Sequence, residues 1–309
     1  MPNNITIQKL SQILGTTSSS IDEHTINLLG AFDSSIELLT EVERDNHILS
    51  VMKRLEEDNL KRDTLQNQKI FENGWSENLK KCQTNGITRA NLTPAYIKQF
   101  EVIRLLGNYV RPANRYLVDD LYTVSLDHLF REYLLKIDNV YEFGCGTGRN
   151  LLQLSELFPN KKLFGLDWAE SSMELLKLFQ KQVSTNILGH RFDMLHPDDF
   201  SILPNSAVVT VVAMEQLGDR YEAFLDYLEK QKPSIIIHVE PFLEMYGEDT
   251  LFDYLGALYH RKRGYLNGYL PTIRAKAQKG EVTILKDHRQ SYGDPWNEGT
   301  GVLVWKFNR

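Results

Sequence analysis

With 309 residues the chain has room for one large domain or two small ones, and 42% apolar with 25% charged residues is the balance of a soluble globular protein. A formal net charge of −6 leaves no basic surplus with which to grip nucleic-acid phosphates in general. The two cysteines, Cys82 and Cys145, lie far apart without metal-ligand spacing, so neither a disulfide framework nor a metal site is expected and a reducing compartment is the default.

The N-terminus, "MPNNITIQKLSQILGTTSSS", lacks the charged start and apolar run of a signal peptide, and no stretch reaches the length of a membrane span. A cytoplasmic protein with neither membrane nor nucleic-acid partner is expected. Residues 1–68 read as an N-terminal helical segment, in which Ile36, Leu39, Val42, Ile48, Val51 and Leu55 recur near a helical period. These helices offer a surface for homo-oligomerisation, and the tail "KRLEEDNLKRDTLQNQK" reads as a solvated helix or linker. Residues 69–136 read as a helical lid or cap. Its main block spans roughly 88–136, with Thr93 as N-cap and Pro94 at the first helical position.

From residue 137 the pattern becomes strand-then-helix. "NVYEFG", "KLFGLD" and "NILGHRFD" are strands, with the helices "RNLLQLSELF" and "SSMELLKLFQKQV" between them. "AVVTVVAM" and "PSIIIHVE" are short apolar runs rich in β-branched residues, as strands buried on both faces require. "GEVTILKDHRQS" and "GTGVLVWKF" close the chain as an antiparallel pair. The fold class is therefore α/β, a doubly wound and mostly parallel sheet over 137–309 with a helical N-terminal extension.

"GCGTG" follows the first strand, where doubly wound sheets bind ligands. Gly144, Gly146 and Gly148 allow a tight turn and close approach of a ligand to the backbone. Asp167 ends the second strand, where an acidic side chain can hydrogen-bond a ribose diol. The spacing G-x-G-x-G differs from the dinucleotide pattern G-x-G-x-x-G. The carboxylate of Glu142 beside the turn repels a pyrophosphate and suits an ammonium or sulfonium.

"VYEFGCGTGRN", "LFGLDWAESSM" and "GHRFDML" together resemble the first three motifs of class I S-adenosylmethionine-dependent methyltransferases, over about residues 138–240. The resemblance implies that S-adenosylmethionine is the cofactor. Glu142 and the three glycines would surround its methionine part, Asp167 would hold the ribose and Trp168 would lie on the adenine. Asp193 would accept from the exocyclic amine, with Met194 beside it.

Acceptor-defining motifs should follow the fourth strand, and the Asp/Asn-Pro-Pro-Tyr/Phe signature of amide and base N-methyltransferases is absent there. Glu215 and Gln216 stand at that strand's mouth, and His238 and Glu240 at the end of the fifth. Glu215, Glu240 and His238 are the catalytic candidates, although His238, set inside an apolar run, also reads as a core histidine. "FDYLGALYHRKRGYLNGYLPTIRA" reads as one helical segment carrying Tyr259, Arg261, Arg263 and Tyr265 as acceptor-binding candidates. From the lid region Trp75, Tyr96 and Arg104 join them.

"MEQLGDR", "HVEPFLEMY" and "YHRKRGYLNGYL" resemble a small bacterial group of methionine S-methyltransferases of dimethylsulfoniopropionate synthesis. That resemblance implies a small-molecule substrate, the thioether of free methionine, giving S-methylmethionine. The alternative is O- or N-methylation of a sugar or secondary metabolite, which could be carrier-bound. "FDSSIELLTEVE" is faintly similar to an acyl-carrier bundle, which would make Ser34 a modified serine.

Overall fold

A computed structural model describes residues 3–57, 60, 64–247 and 249–308. In chain order the elements are β1 (Asn3–Asn4), α1 (Ile7–Leu14), α2 (Glu23–Gly30), β2 (Ser35–Leu38), α3 (Glu41–Glu56), α4 (Thr64–Asn85), α5 (Arg89–Leu92), β3 (Ile103–Leu105), β4 (Asn108–Pro112) and α6 (Leu117–Tyr133). There follow β5 (Asn139–Phe143), α7 (Arg149–Leu157), β6 (Lys162–Asp167), α8 (Glu170–Gln182), β7 (Ile187–Arg191), β8 (Ser206–Val211), α9 (Glu222–Gln231) and β9 (Ile235–Glu240). The chain closes with α10 (Leu251–Arg263), α11 (Tyr269–Gln278), β10 (Val282–Arg289), β11 (Tyr292–Gly293) and β12 (Gly301–Phe307).

Among the described residues the main sheet has seven strands in the order β10-β12-β9-β8-β5-β6-β7. The pairs from β9 to β7 are parallel, whereas β12 runs antiparallel to both β9 and β10. A dinucleotide-binding sheet runs 3-2-1-4-5-6. Here the same path is followed, with one antiparallel strand pushed in between the fifth and sixth. Alternation along the strands divides the core. Val140, Val209 and Ile237 pack on one face with Phe130 of α6, Leu154 of α7 and Phe179 of α8. Tyr141, Val208 and Ile236 pack on the other with Phe224 of α9 and Ile273 of α11. Crossovers change face between β5 and β8, so the crevice of the switch point opens at the carboxyl ends of those two strands.

The N-terminal region departs from the helical expectation. Its helices are short, and strands β1, β2, β4 and β3 form a second sheet that β11 completes from the far end of the chain. Asp33 accepts the N–H of Ser35 at 3.0 Å and turns the chain into β2, which pairs with β1 and β4. Ser34 therefore precedes a strand instead of a helix, and the carrier-like bundle is not formed. Leu106 and Gly107, both at positive φ (48° and 76°), make the two-residue turn of the β3–β4 hairpin. No glycine pair announces that turn in the sequence.

Two further expectations change. Thr93 is the C-cap of α5, not an N-cap, and helix α6 starts only at Leu117. The segment expected as one helix over 252–275 is two, broken where Gly264 and Gly268 adopt positive φ. The polar stretch 53–69 lies in α3 and α4 at its ends, while its residues 58, 59 and 61–63 fall outside the described residues. Among the described residues no helix is long and apolar enough to cross a membrane.

Trp305 of β12 is fully buried in the same core cluster as Ile273 of α11, with Phe307 edge-on at 4.9 Å. Trp305→Ala is expected to cost about 3–5 kcal/mol of unfolding free energy in urea titrations, because the cavity cannot close around a central strand.

Candidate active site

Four loops converge at the carboxyl ends of β5, β6, β8 and β9. The turn after β5 holds Gly144, Gly146 and Gly148 at φ of 73°, 54° and 78°, in the left-handed region that side chains avoid. A Cβ would also find no room. At Gly144 it would stand 2.4 Å from the Ala213 Cβ, and at Gly148 2.9 Å from the Phe179 ring. Asp167, 4% exposed at the end of β6, locks this turn: its Oδ2 accepts the Gly146 N–H at 2.8 Å and its Oδ1 the Ala169 N–H at 2.9 Å. Burial raises its pKa to about 6, with the two backbone N–H groups working against that rise.

Glu142 closes β5 and is 1% exposed. Its Oε1 accepts from the Asn150 amide at 2.7 Å, and its Oε2 is buried without a hydrogen-bond partner. Desolvation, with the nearby Asp167 charge, pushes its pKa to about 8. The remaining cofactor candidates sit around the same turn. Met194 Cε would lie 3.6 Å from a Cβ on Gly144. Trp168 is half-buried and its carbonyl accepts from Arg191 Nε at 3.1 Å. Asp193 is half-buried and holds the Leu195 N–H and the His196 ring, each at 2.9 Å.

The second group of carboxylates lies after β8. Glu240, fully buried, accepts the Ala213 N–H on both oxygens at 3.0 and 3.1 Å and the Glu215 N–H at 3.3 Å. Burial raises its pKa to about 7 against these bonds. It fastens the turn that presents Glu215, which makes it a support for its neighbour. Glu215, 9% exposed, accepts from the Gln216 amide at 2.6 Å, and Gln216 in turn accepts from Asn67 of α4 at 2.8 Å. Burial and then the Glu240 charge raise the Glu215 pKa to about 8, while Arg263 pulls it down.

Arg263 donates to the Tyr265 hydroxyl at 3.1 Å and lies over its ring, and Tyr259 packs edge-on against Tyr265. Trp296 stacks on Tyr259 at 6.2 Å, and the neighbouring Asp294 is raised to about 6 by burial. These two residues, from the loop between β11 and β12, were absent from the sequence reading. So were Asn67 and Glu72 of α4. Nothing in a polar helical stretch marks two residues for a site on the opposite half of the chain.

The other candidates have different surroundings. His238 is fully buried, with Thr210 on Nδ1 and the Tyr269 hydroxyl on Nε2, both at 2.8 Å. Burial holds it neutral, with its pKa near 3. It stands in the core with both ring nitrogens bonded, as its apolar run also suggested. Arg261 faces solvent, one helix face away from Arg263. Arg104 is fully buried over the Phe252 ring and donates to its carbonyl at 2.7 Å. Trp75 packs on the glycine turn, 3.1 Å from a Cβ placed on Gly146, and Tyr96 stands exposed and edge-on to it. Among the described residues no cluster of His, Cys, Asp and Glu is arranged to hold a metal ion.

The raised carboxyls have a thermodynamic consequence. Between pH 6.5 and 8 the folded chain keeps protons on Glu142 and Glu215 that the unfolded chain, titrating near 4.5, has already lost, so stability falls as pH rises. The depressed His238 and His260 act in the opposite direction only below their unfolded value of 6.5. Urea titrations of the ligand-free protein should lose about 3 kcal/mol across that window, and Glu215→Gln should remove about half of the loss.

No protein-family model and no curated protein sequence matches the chain. Among solved structures it is similar to an O-methyltransferase family 2 protein from Planctomyces limnophilus in complex with apigenin, at 14% identity and a TM-score of 0.42. That match covers 63% of this chain and 60% of the other, so it spans less than two thirds of that protein's length. It is also similar to the methyltransferase domain of bacterial CtHen1-C, at 20% identity and a TM-score of 0.44, covering 61% of this chain and 97% of that one. A SAM-dependent methyltransferase from Aquifex aeolicus gives 11% identity and a TM-score of 0.43, covering 59% and 89%.

Proposed function

We propose that the chain is an S-adenosylmethionine-dependent methyltransferase of a small metabolite. The observation that carries this reading is Glu142. A carboxylate oxygen removed from water without a donor costs several kcal/mol unless a partner arrives. Beside it, three left-handed glycines hold a tight turn in which a Cβ would meet Ala213, Trp75 or Phe179. An ammonium-bearing ligand satisfies the buried oxygen of Glu142. Asp167 retains lone pairs for ribose hydroxyls while it holds the turn, and Met194 and Trp168 supply apolar surface for an adenine ring.

S-adenosylmethionine would supply an electrophilic methyl group. Everything else falls to this chain: it must orient a nucleophile, keep water away and manage a proton. Of the three catalytic candidates only Glu215 combines burial with an oxygen not committed to the backbone. Its raised proton affinity suits a group that accepts the proton a hydroxyl or ammonium must shed. This favours O- or N-methylation of a small metabolite. Free methionine stays in view for a separate reason: Glu215 and Arg263 in one cluster could hold the ammonium and carboxylate of an amino acid. Its thioether has no proton to lose and would leave the proton affinity of Glu215 unused.

Calorimetric titration with S-adenosylmethionine should show binding that releases a proton near pH 7, because the cation ionises Glu142. Between pH 6 and 7.5 affinity should rise by up to about tenfold per unit, read in buffers of different ionisation heat. Glu142→Gln should abolish the proton release. Binding that is independent of pH, or absent, defeats the assignment. Methyl-labelled cofactor, offered with a pool of free amino acids, amino sugars and phenols, then identifies the methylated atom. A sulfonium product would restore methionine, and an ether or amine product would make Glu215→Gln at least about a hundredfold slower.

A further inference from the structure

Glu142 and Asp167 are 1% and 4% exposed, so in this conformation a ligand of the size of S-adenosylmethionine cannot reach the two groups assigned to it. Helix α4 lies against Asp167 and the glycine turn that Asp167 holds. Its residues 67, 71 and 75 follow at intervals of four and share one helix face. Trp75 sits on Gly146, and Phe71 stacks on Trp75 at 5.5 Å. The polar contacts of this half of the helix reach opposite sides of the crevice. Asn67 donates to Gln216 beside Glu215. Glu72 accepts the backbone N–H groups of Glu170 and Ser171 at 3.0 and 3.1 Å and the Ser171 hydroxyl at 2.5 Å. A carboxylate from a distant helix thus caps the N-terminus of α8, where unsatisfied N–H groups and the helix dipole both favour it.

The other half of α4 is anchored differently. The Asn78 amide donates to the carbonyls of Asn91 and Thr93, and Cys82 is fully buried in the main core. Between the two halves stands Gly74, with open space around the position of a Cβ. A mid-helix glycine weakens a helix by about 0.5–1 kcal/mol relative to alanine. The helix is therefore fastened at one end, latched at the other and softened between.

We propose that the first half of α4 is a strap that gates the cofactor site, with Glu72 and Asn67 as its latches and Gly74 as its pivot; Trp75, just past the pivot, stays with the anchored half and loses its Phe71 partner when the strap lifts. The proposal rests on the cofactor reading above and adds a coupling. When the strap closes over the cofactor, Asn67 also returns to Gln216, which orients the Glu215 carboxylate. Glu72 and Asn67 are positioning residues, and their effect belongs in exchange rates more than in affinity.

The test is stopped-flow and calorimetric binding of S-adenosylhomocysteine to the wild type, Glu72→Ala and Gly74→Ala. Glu72→Ala should speed both association and dissociation about tenfold with the Kd within threefold, and Gly74→Ala, which stiffens a site with room for the methyl group, should slow both. Unchanged rates in both variants, with binding intact, overturn the gate. Hydrogen exchange on the ligand-free proteins reads the strap alone. Glu72→Ala should speed exchange over residues 64–73 and leave 79–85 as in the wild type. Should S-adenosylhomocysteine fail to bind the wild type, the cofactor reading falls, and the exchange pattern still decides the strap: uniform or absent change rejects it. If Glu72→Ala does not fold, Ser171→Ala removes a partner from the other side of the same latch.

Discussion

Keeping carboxylates out of water at the carboxyl edge of a parallel sheet is the constraint from which the site follows. Each such group must be compensated by fixed donors or left neutral. Asp167 and Glu240 take the first course. Backbone N–H groups of Gly146 and Ala169 satisfy one, and those of Ala213 and Glu215 the other, and in return each carboxylate fastens a loop. Glu142 and Glu215 take the second course. Each has one side-chain amide as donor and keeps a higher proton affinity than Asp167 or Glu240. The division between carboxylates that hold loops and carboxylates that await a partner is thus a matter of counting donors.

The same constraint explains why the glycine turn and the turn after β8 are one construction. Ala213, which donates to Glu240, places its Cβ where a side chain on Gly144 would have to go. A displacement at Glu240 would therefore reach Gly144 through a single small residue. The turn after β5 and the turn after β8 thus share a wall at Ala213.

Much of this architecture could be read from sequence because the main sheet is encoded locally. Runs such as "AVVTVVAM" and "SIIIHVE" satisfy only a strand with two covered faces, and a glycine turn behind a strand states its own backbone geometry. What escaped was encoded at long range. Strands of two to five residues in the N-terminal sheet are too short to show alternation, and one of them, β11, comes from the opposite end of the chain. Glu72 and Asn67 look like any polar helix surface until the fold lays them across α8 and Gln216. His238 illustrates the reverse case. Its residue type suggested chemistry, but burial against Thr210 and Tyr269 leaves it no free nitrogen and no charge.

The borrowed strand also says why the N-terminal region cannot be an independent appendage. β11 pairs with β3, and in the loop after it Trp296 stacks on Tyr259 of α10. The surroundings of Tyr259 are thereby assembled from distant parts of the sequence, and helix α4 reaches both Gln216 and the start of α8. A site closed by segments so far apart in sequence can be sealed against water by folding alone. Its remaining requirement is a way to open, and within α4 the open space around Gly74 is where the least packing has to be broken.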